Sequence, residues 1–114
     1  MIKNIKKLIS NFFNSLNGLR LSMKEHSFIC EILIGILLIP ILIFIETDNF
    51  MKILIIVIYF LLLAFELMNT SIEKLSDKIN KEYDLDIKGI KDMASAAVFI
   101  ILLILTFLVL ISII

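Results

Sequence analysis

Apolar residues recur every three or four positions at the start of the chain, then run almost unbroken through three later blocks. Over residues 1–26, Ile2, Ile5, Leu8, Ile9, Phe12, Phe13, Leu16 and Leu19 keep the helical period. Lys3, Lys6, Lys7, Asn14 and Asn17 fall elsewhere on that helix. This pattern predicts a basic amphipathic helix, the kind that lies in the plane of a membrane interface. The three apolar blocks, 28–45, 50–72 and 93–114, predict membrane-spanning helices, since a bilayer core takes roughly 20 residues per helix. The third block carries no charge. The first holds Glu31 and Pro40 and the second Glu66, and membrane helices tolerate such a proline. Residues 46–49 predict a tight hairpin. The polar stretch 74–92 predicts an extramembrane loop with Asn80, Asp84, Asp86 and Gly89 as turn formers, the second helix running on to about Asn80.

Composition agrees with a single all-α membrane domain. Of 114 residues 61% are hydrophobic, and the mean hydropathy is +1.07, against about 45–50% apolar residues in soluble domains. A soluble core of this size has too much surface to hide that fraction. With 3 Gly and 1 Pro, collagen and low-complexity disorder are excluded. The single Cys30 excludes an intrachain disulfide and a thiolate metal cluster. Ser10, Asn11, Asn14 and Asn17 interrupt the first helix too early for a signal-peptide core.

The 11 basic and 11 acidic residues cancel, so net charge names no polyanionic partner such as a nucleic acid. Their placement is more informative. Lys3, Lys6, Lys7, Arg20 and Lys24 precede the first span, and Lys74, Lys78, Lys81, Lys88 and Lys91 lie between the second and third. Only Lys52 lies on the other side. The excess predicts a cytoplasmic N-terminus and 74–92 segment, with the C-terminus outside.

A carboxylate inside a span costs about 2.5–3.5 kcal/mol at the helix centre and marks function by default. Glu66 is the strongest case. Asn69, Glu73 and Asp77 follow on the same helical face and make a polar stripe that leaves the membrane. Asp77 reads as a solvated helix end. Acids without basic partners suit Mg²⁺, which often takes one or two carboxylates and completes its shell with phosphates. Glu25 and Glu31 are further acidic candidates near the first span. His26 reads as a surface or capping residue and Cys30 as a packing residue. Ala94, Ala96 and Ala97 allow close helix approach. Lys91 and Asp92, at the mouth of the third span, suit a nucleotide phosphate or merely mark the interface. No glycine-rich phosphate loop, soluble-kinase signature or Ser/His/Asp set occurs. The residues alone fit a kinase, an ion-handling protein or an assembly subunit.

Five local patterns carry a resemblance. Glu66-Leu-Met-Asn69-Thr-Ser-Ile-Glu73 resembles the ExxNxxxE signature of prokaryotic diacylglycerol kinases. Lys91-Asp-Met-Ala-Ser-Ala-Ala-Val98 is similar to that family's KDxxxxAV signature. Asn17-Gly-Leu-Arg20, Glu25-His-Ser-Phe28 and Glu82-Tyr83 resemble its KGLR, ExxF and EY elements. Order and spacing agree over nearly the whole chain. There are departures: the stretch between Arg20 and Glu25 is one residue short, Asn14 and Leu16 stand where aromatic residues are common, and Asp84 replaces a usual His.

The resemblance implies an integral-membrane, homotrimeric kinase of the bacterial inner membrane, with active sites shared between protomers. It implies transfer of the ATP γ-phosphoryl group to the hydroxyl of a membrane lipid. Glu66 would be the catalytic base, and Glu25 and Glu73 would hold Mg²⁺ bound to ATP. Glu82, Tyr83, Asp84, Lys91, Asp92 and Lys7 would contact the nucleotide. Arg20, Glu31, Asn69 and Ser95 would line or support the lipid site. Glu31 and Met93-Ala94-Ser95 look more like the diacylglycerol branch than the undecaprenol branch. A catalytically silent assembly protein and a small ion carrier are the remaining alternatives. A trimer also answers a physical expectation: three helices per chain leave little interior to shield Glu66 and Asn69 from lipid.

Overall fold

The computed structural model describes residues 1–114 as four helices and no strands: α1 (Ile2–Ser22), α2 (His26–Phe44), α3 (Asn49–Ile79) and α4 (Leu85–Ile113). The last three are long and apolar enough to cross a membrane. The all-α fold with three spans therefore matches the hydropathy pattern, with two boundaries moved.

The first helix stops at Ser22 rather than reaching residue 26. The Ser22 hydroxyl donates to the Leu19 carbonyl at 2.6 Å, and tight turns follow from Lys24 N–H to Leu21 and from Glu25 N–H to Ser22. Glu25 is extended and caps α2 through its carbonyl, which accepts from Ile29 N–H at 3.2 Å. The second difference lies in the stretch 74–92, most of which is helix. The Asp84 carboxylate accepts from the N–H groups of Asp86 (2.8 Å) and Ile87 (3.1 Å), which is the bonding of a helix N-cap. Asp86 and Gly89, expected in turns, thus sit inside α4. Only residues 80–84 remain as a loop, where Asn80 Oδ1 accepts from Glu82 N–H at 3.0 Å.

α3 is the spine of the molecule. At 31 residues it is roughly 46 Å long, more than a bilayer needs, so its polar end projects. Asp48 caps its start by accepting from Met51 N–H at 3.0 Å. α4 packs along most of α3 and α2 packs on another side. The apolar core joins Leu38 of α2, Ile55 and Leu62 of α3 and Leu105 of α4. Ile55, Leu62, Asn69 and Ser76 are all buried. They lie seven apart on one face of α3, so the seam turns from apolar to polar as the helix leaves the membrane.

α2 and α3 meet closely at Gly35. A Cβ at this position would overlap the ring and hydroxyl of Tyr59. The bare glycine lets that ring lie against α2, where the hydroxyl donates to the Glu31 carbonyl at 3.1 Å.

α1 stands apart from the bundle. Extents of 48 × 47 × 23 Å exceed in two directions what a parallel bundle around α3 would occupy. Only Ser22 of α1 is buried, and Ile2, Leu8, Phe12 and Phe13 are exposed. Burial is inverted relative to a soluble protein. Six of the 11 buried residues are polar (Ser22, Glu31, Glu66, Asn69, Ser76 and Ser112), while large apolar side chains cover the outside. That distribution suits a lipid solvent, in which the polar groups are the ones to hide.

Candidate active site at the polar end of the bundle

The buried polar residues converge where α3 emerges from its apolar stretch. Glu66 is 4% exposed and Asn69 7%. The chain thus shields both from lipid without a second copy, and the burial requirement expected to demand a trimer is met within one protomer. Glu31 of α2 is buried as well, 8% exposed. The hydroxyl of Thr70, one turn further along α3, donates to Glu66 Oε1 at 3.3 Å. Asn69 Nδ2 donates to Glu73 Oε1 at 3.4 Å, so Glu66, Asn69 and Glu73 form a continuous face. Asn69 Oδ1 and Glu31 Oε2 are buried with no partner. Buried acceptors nearly always have one, so both are free to accept from a polar partner.

Beyond Glu73, α3 and α4 diverge around a cleft of about 560 Å³. It gathers most of the residues expected to bind nucleotide. Glu82, Tyr83, Asp84, Lys91 and Asp92 line it, together with Glu73, expected on the metal, and Ser95, expected at the lipid site. Lys91 Nζ donates to Asp77 at 2.7 Å, across the two helices, and Lys88 donates to Asp92 at 2.7 Å. The Asp77 carboxylate holds the Lys91 ammonium above its ordinary lysine value. Asp77 is therefore more than a solvated helix end. Lys88 was not legible as a site residue except by its four-residue spacing from Asp92.

Asp84 lines this cleft, but its Oδ1 is engaged in capping α4. Replacing it with Ala should cost about 1 kcal/mol of stability, and Asp84→Ser, which can still cap, should restore most of it. Thermal melts in detergent, with nucleotide titrations of both variants, separate the cap from any contribution to binding.

A second cleft, about 200 Å³, lies between the end of α1 and α3. Gly18, Ser22, Glu25, Thr70, Ser71 and Lys74 are among its lining. Here Glu25 forms an ion pair with Lys74 of α3. The two expected metal ligands thus line different clefts, Glu25 one and Glu73 the other. Nowhere do three acidic, His or Cys side chains converge. The donors are nevertheless all oxygens, with one carboxylate in each position, and a cationic group already sits on Glu25. That suits Mg²⁺, which needs only one or two carboxylates when phosphates complete its shell. Lys7 and Arg20 are exposed on α1 and line neither cleft. Cys30 is exposed rather than packed, with its sulfur 3.6 Å from His26 Nε2.

The sequence model of the family described as prokaryotic diacylglycerol kinase matches residues 13–114. The chain belongs to this family. The match includes every site residue named above except Lys7, and all three spans. No curated protein matches the chain. Membership makes this a multi-pass membrane protein of a lipid kinase family.

Proposed function

We propose that the protein transfers the γ-phosphoryl group of ATP to the hydroxyl of diacylglycerol, giving phosphatidic acid at the cytoplasmic membrane interface. The observation that carries this reading is the single face of α3 that bears buried Glu66 and Asn69 and then Glu73, to which Asn69 donates, at the mouth of the α3/α4 cleft. Phosphoryl transfer asks chiefly for positioning and for cations around the moving charge. Glu66 lies at membrane depth, where a lipid hydroxyl can reach it. Its carboxylate would take the hydroxyl proton as the oxygen attacks the γ-phosphorus. Asn69 offers its unpartnered Oδ1 to the lipid headgroup. Lys91 and Lys88 neutralise phosphate oxygens in the cleft once Asp77 and Asp92 release them. Mg²⁺, held by Glu25 and Glu73 with the phosphates, would supply the remaining neutralisation.

The basic segments 3–24 and 74–91 are read as cytoplasmic, with α1 lying in the interface on its exposed apolar face. We read the working unit as a homotrimer. Arg20 and Lys7, which line neither cleft of their own chain, then act at a neighbour's site.

Diacylglycerol is favoured over undecaprenol by Glu31, buried against Glu66 at a position where the undecaprenol branch tends to carry a histidine. The test is phosphorylation of the two lipids side by side by purified protein with radiolabelled ATP. Diacylglycerol should be at least tenfold the better substrate. A preference for undecaprenol would move the chain to the other branch, and labelling of neither would remove the kinase assignment.

A further inference from the structure

Lys74 has no role in the reaction described above, yet it makes the ion pair that ties the α1–α2 junction to α3. Its Nζ meets Glu25 Oε1 in the smaller cleft. Among the residues lining that cleft, Lys74 is the one cation and Glu25 the one anion; Ser22, Thr70 and Ser71 contribute only hydroxyls. Neither side chain is deeply buried: Lys74 is 60% exposed and Glu25 28%. Exposed pairs of this kind are weak and exchange readily.

We propose that Lys74 is a positioning residue that competes with the divalent cation for Glu25. The ammonium holds the carboxylate on α3 before metal and nucleotide arrive, then yields it to the metal. The inference rests on the reading of Glu25 as a metal ligand and adds an exchange to it: one cation leaves the carboxylate as another arrives. Glu25 does not wait as a free anion, and metal binding frees the α1–α2 junction from α3. Lys74 therefore sets the divalent-ion concentration at which the site fills, holding it higher than the acidic residues alone would.

The probe is Mn²⁺, followed by electron paramagnetic resonance on the full-length protein in detergent, with and without a non-hydrolysable ATP analogue. Lys74→Gln should tighten Mn²⁺ binding about two- to fivefold, the range set by an exposed pair. Lys74→Arg, which keeps a cation, should bind as the parent does. Lys78 stands one turn further along α3 and forms no ion pair, so Lys78→Gln should change little. Damage to the fold weakens metal binding, so a gain is not a structural side effect. Unchanged affinity in Lys74→Gln, or an equal gain in Lys78→Gln, would overturn the proposal. Glu25→Gln separates the two layers. If it binds Mn²⁺ as well as the parent, Glu25 is not a ligand and the proposal falls with that reading. If it weakens binding while Lys74→Gln has no effect, the ligand reading stands and only the competition is lost.

Discussion

Glu66→Gln should lower lipid phosphorylation about a hundred- to ten-thousandfold while nucleotide binding stays within a few-fold of the parent. A positioned general base contributes a factor of that size. Glutamine keeps an acceptor for the Thr70 hydroxyl and nearly the same volume, so the fold has no reason to suffer. It also removes one of the two buried acidic side chains, leaving Glu31, and thermal stability should be equal or higher. The two readouts together are decisive. Lost turnover with an intact melting transition and intact nucleotide binding assigns Glu66 to the chemical step. Turnover like the parent's would end the base role, and simultaneous loss of folding would make Glu66 a packing residue.

Gly35→Val should destabilise the apolar part of the bundle. The added Cβ falls on the Tyr59 ring, so either the ring leaves its place or α2 and α3 separate. Overpacking of this kind costs about 1–3 kcal/mol. The hydroxyl that donates to the Glu31 carbonyl is displaced with the ring, so the disturbance reaches the turn of α2 that faces Glu66. Thermal unfolding in detergent should show the loss, and lipid phosphorylation should fall with it. Tyr59→Val in the same chain should recover most of the stability, because it empties the space the new side chain needs. An undamaged Gly35→Val protein would mean that α2 and α3 do not rely on this contact.

The local elements and the acidic face were legible because their signals are periodic. The apolar blocks read directly as α2, α3 and α4, and Glu66, Asn69, Glu73 and Asp77 declared one helical face by spacing alone. The stretch 85–92 was misread because Asp84, Asp86 and Gly89 are turn formers by composition. Asp84 is there to start a helix, and a cap and a turn use the same residue types. The end of α1 at Ser22 carries no breaker residue at all, since neither Gly nor Pro follows until Gly35. What the sequence could not reveal were the pairings between distant positions. Lys74 with Glu25 and Tyr59 with Glu31 depend on how α2 lies against α3, which no helical period encodes. For the same reason, the need to bury Glu66 was legible and the partner that buries it was not.

The unbroken length of α3 fixes a distance. No proline interrupts Asn49–Ile79, and the backbone bonds run through from Glu66 to Asp77. Glu66 and Glu73 are seven residues apart, about 10 Å along the axis, and nothing between them bends. On the function proposed above, the helix is a ruler with the lipid mark at one graduation and the phosphate mark at another. A protein built this way cannot draw its substrates together by closing a hinge in its spine. The lipid must rise to the upper mark, or the phosphate chain must reach down to the lower, and the depth in the bilayer at which they meet is set by the pitch of one helix.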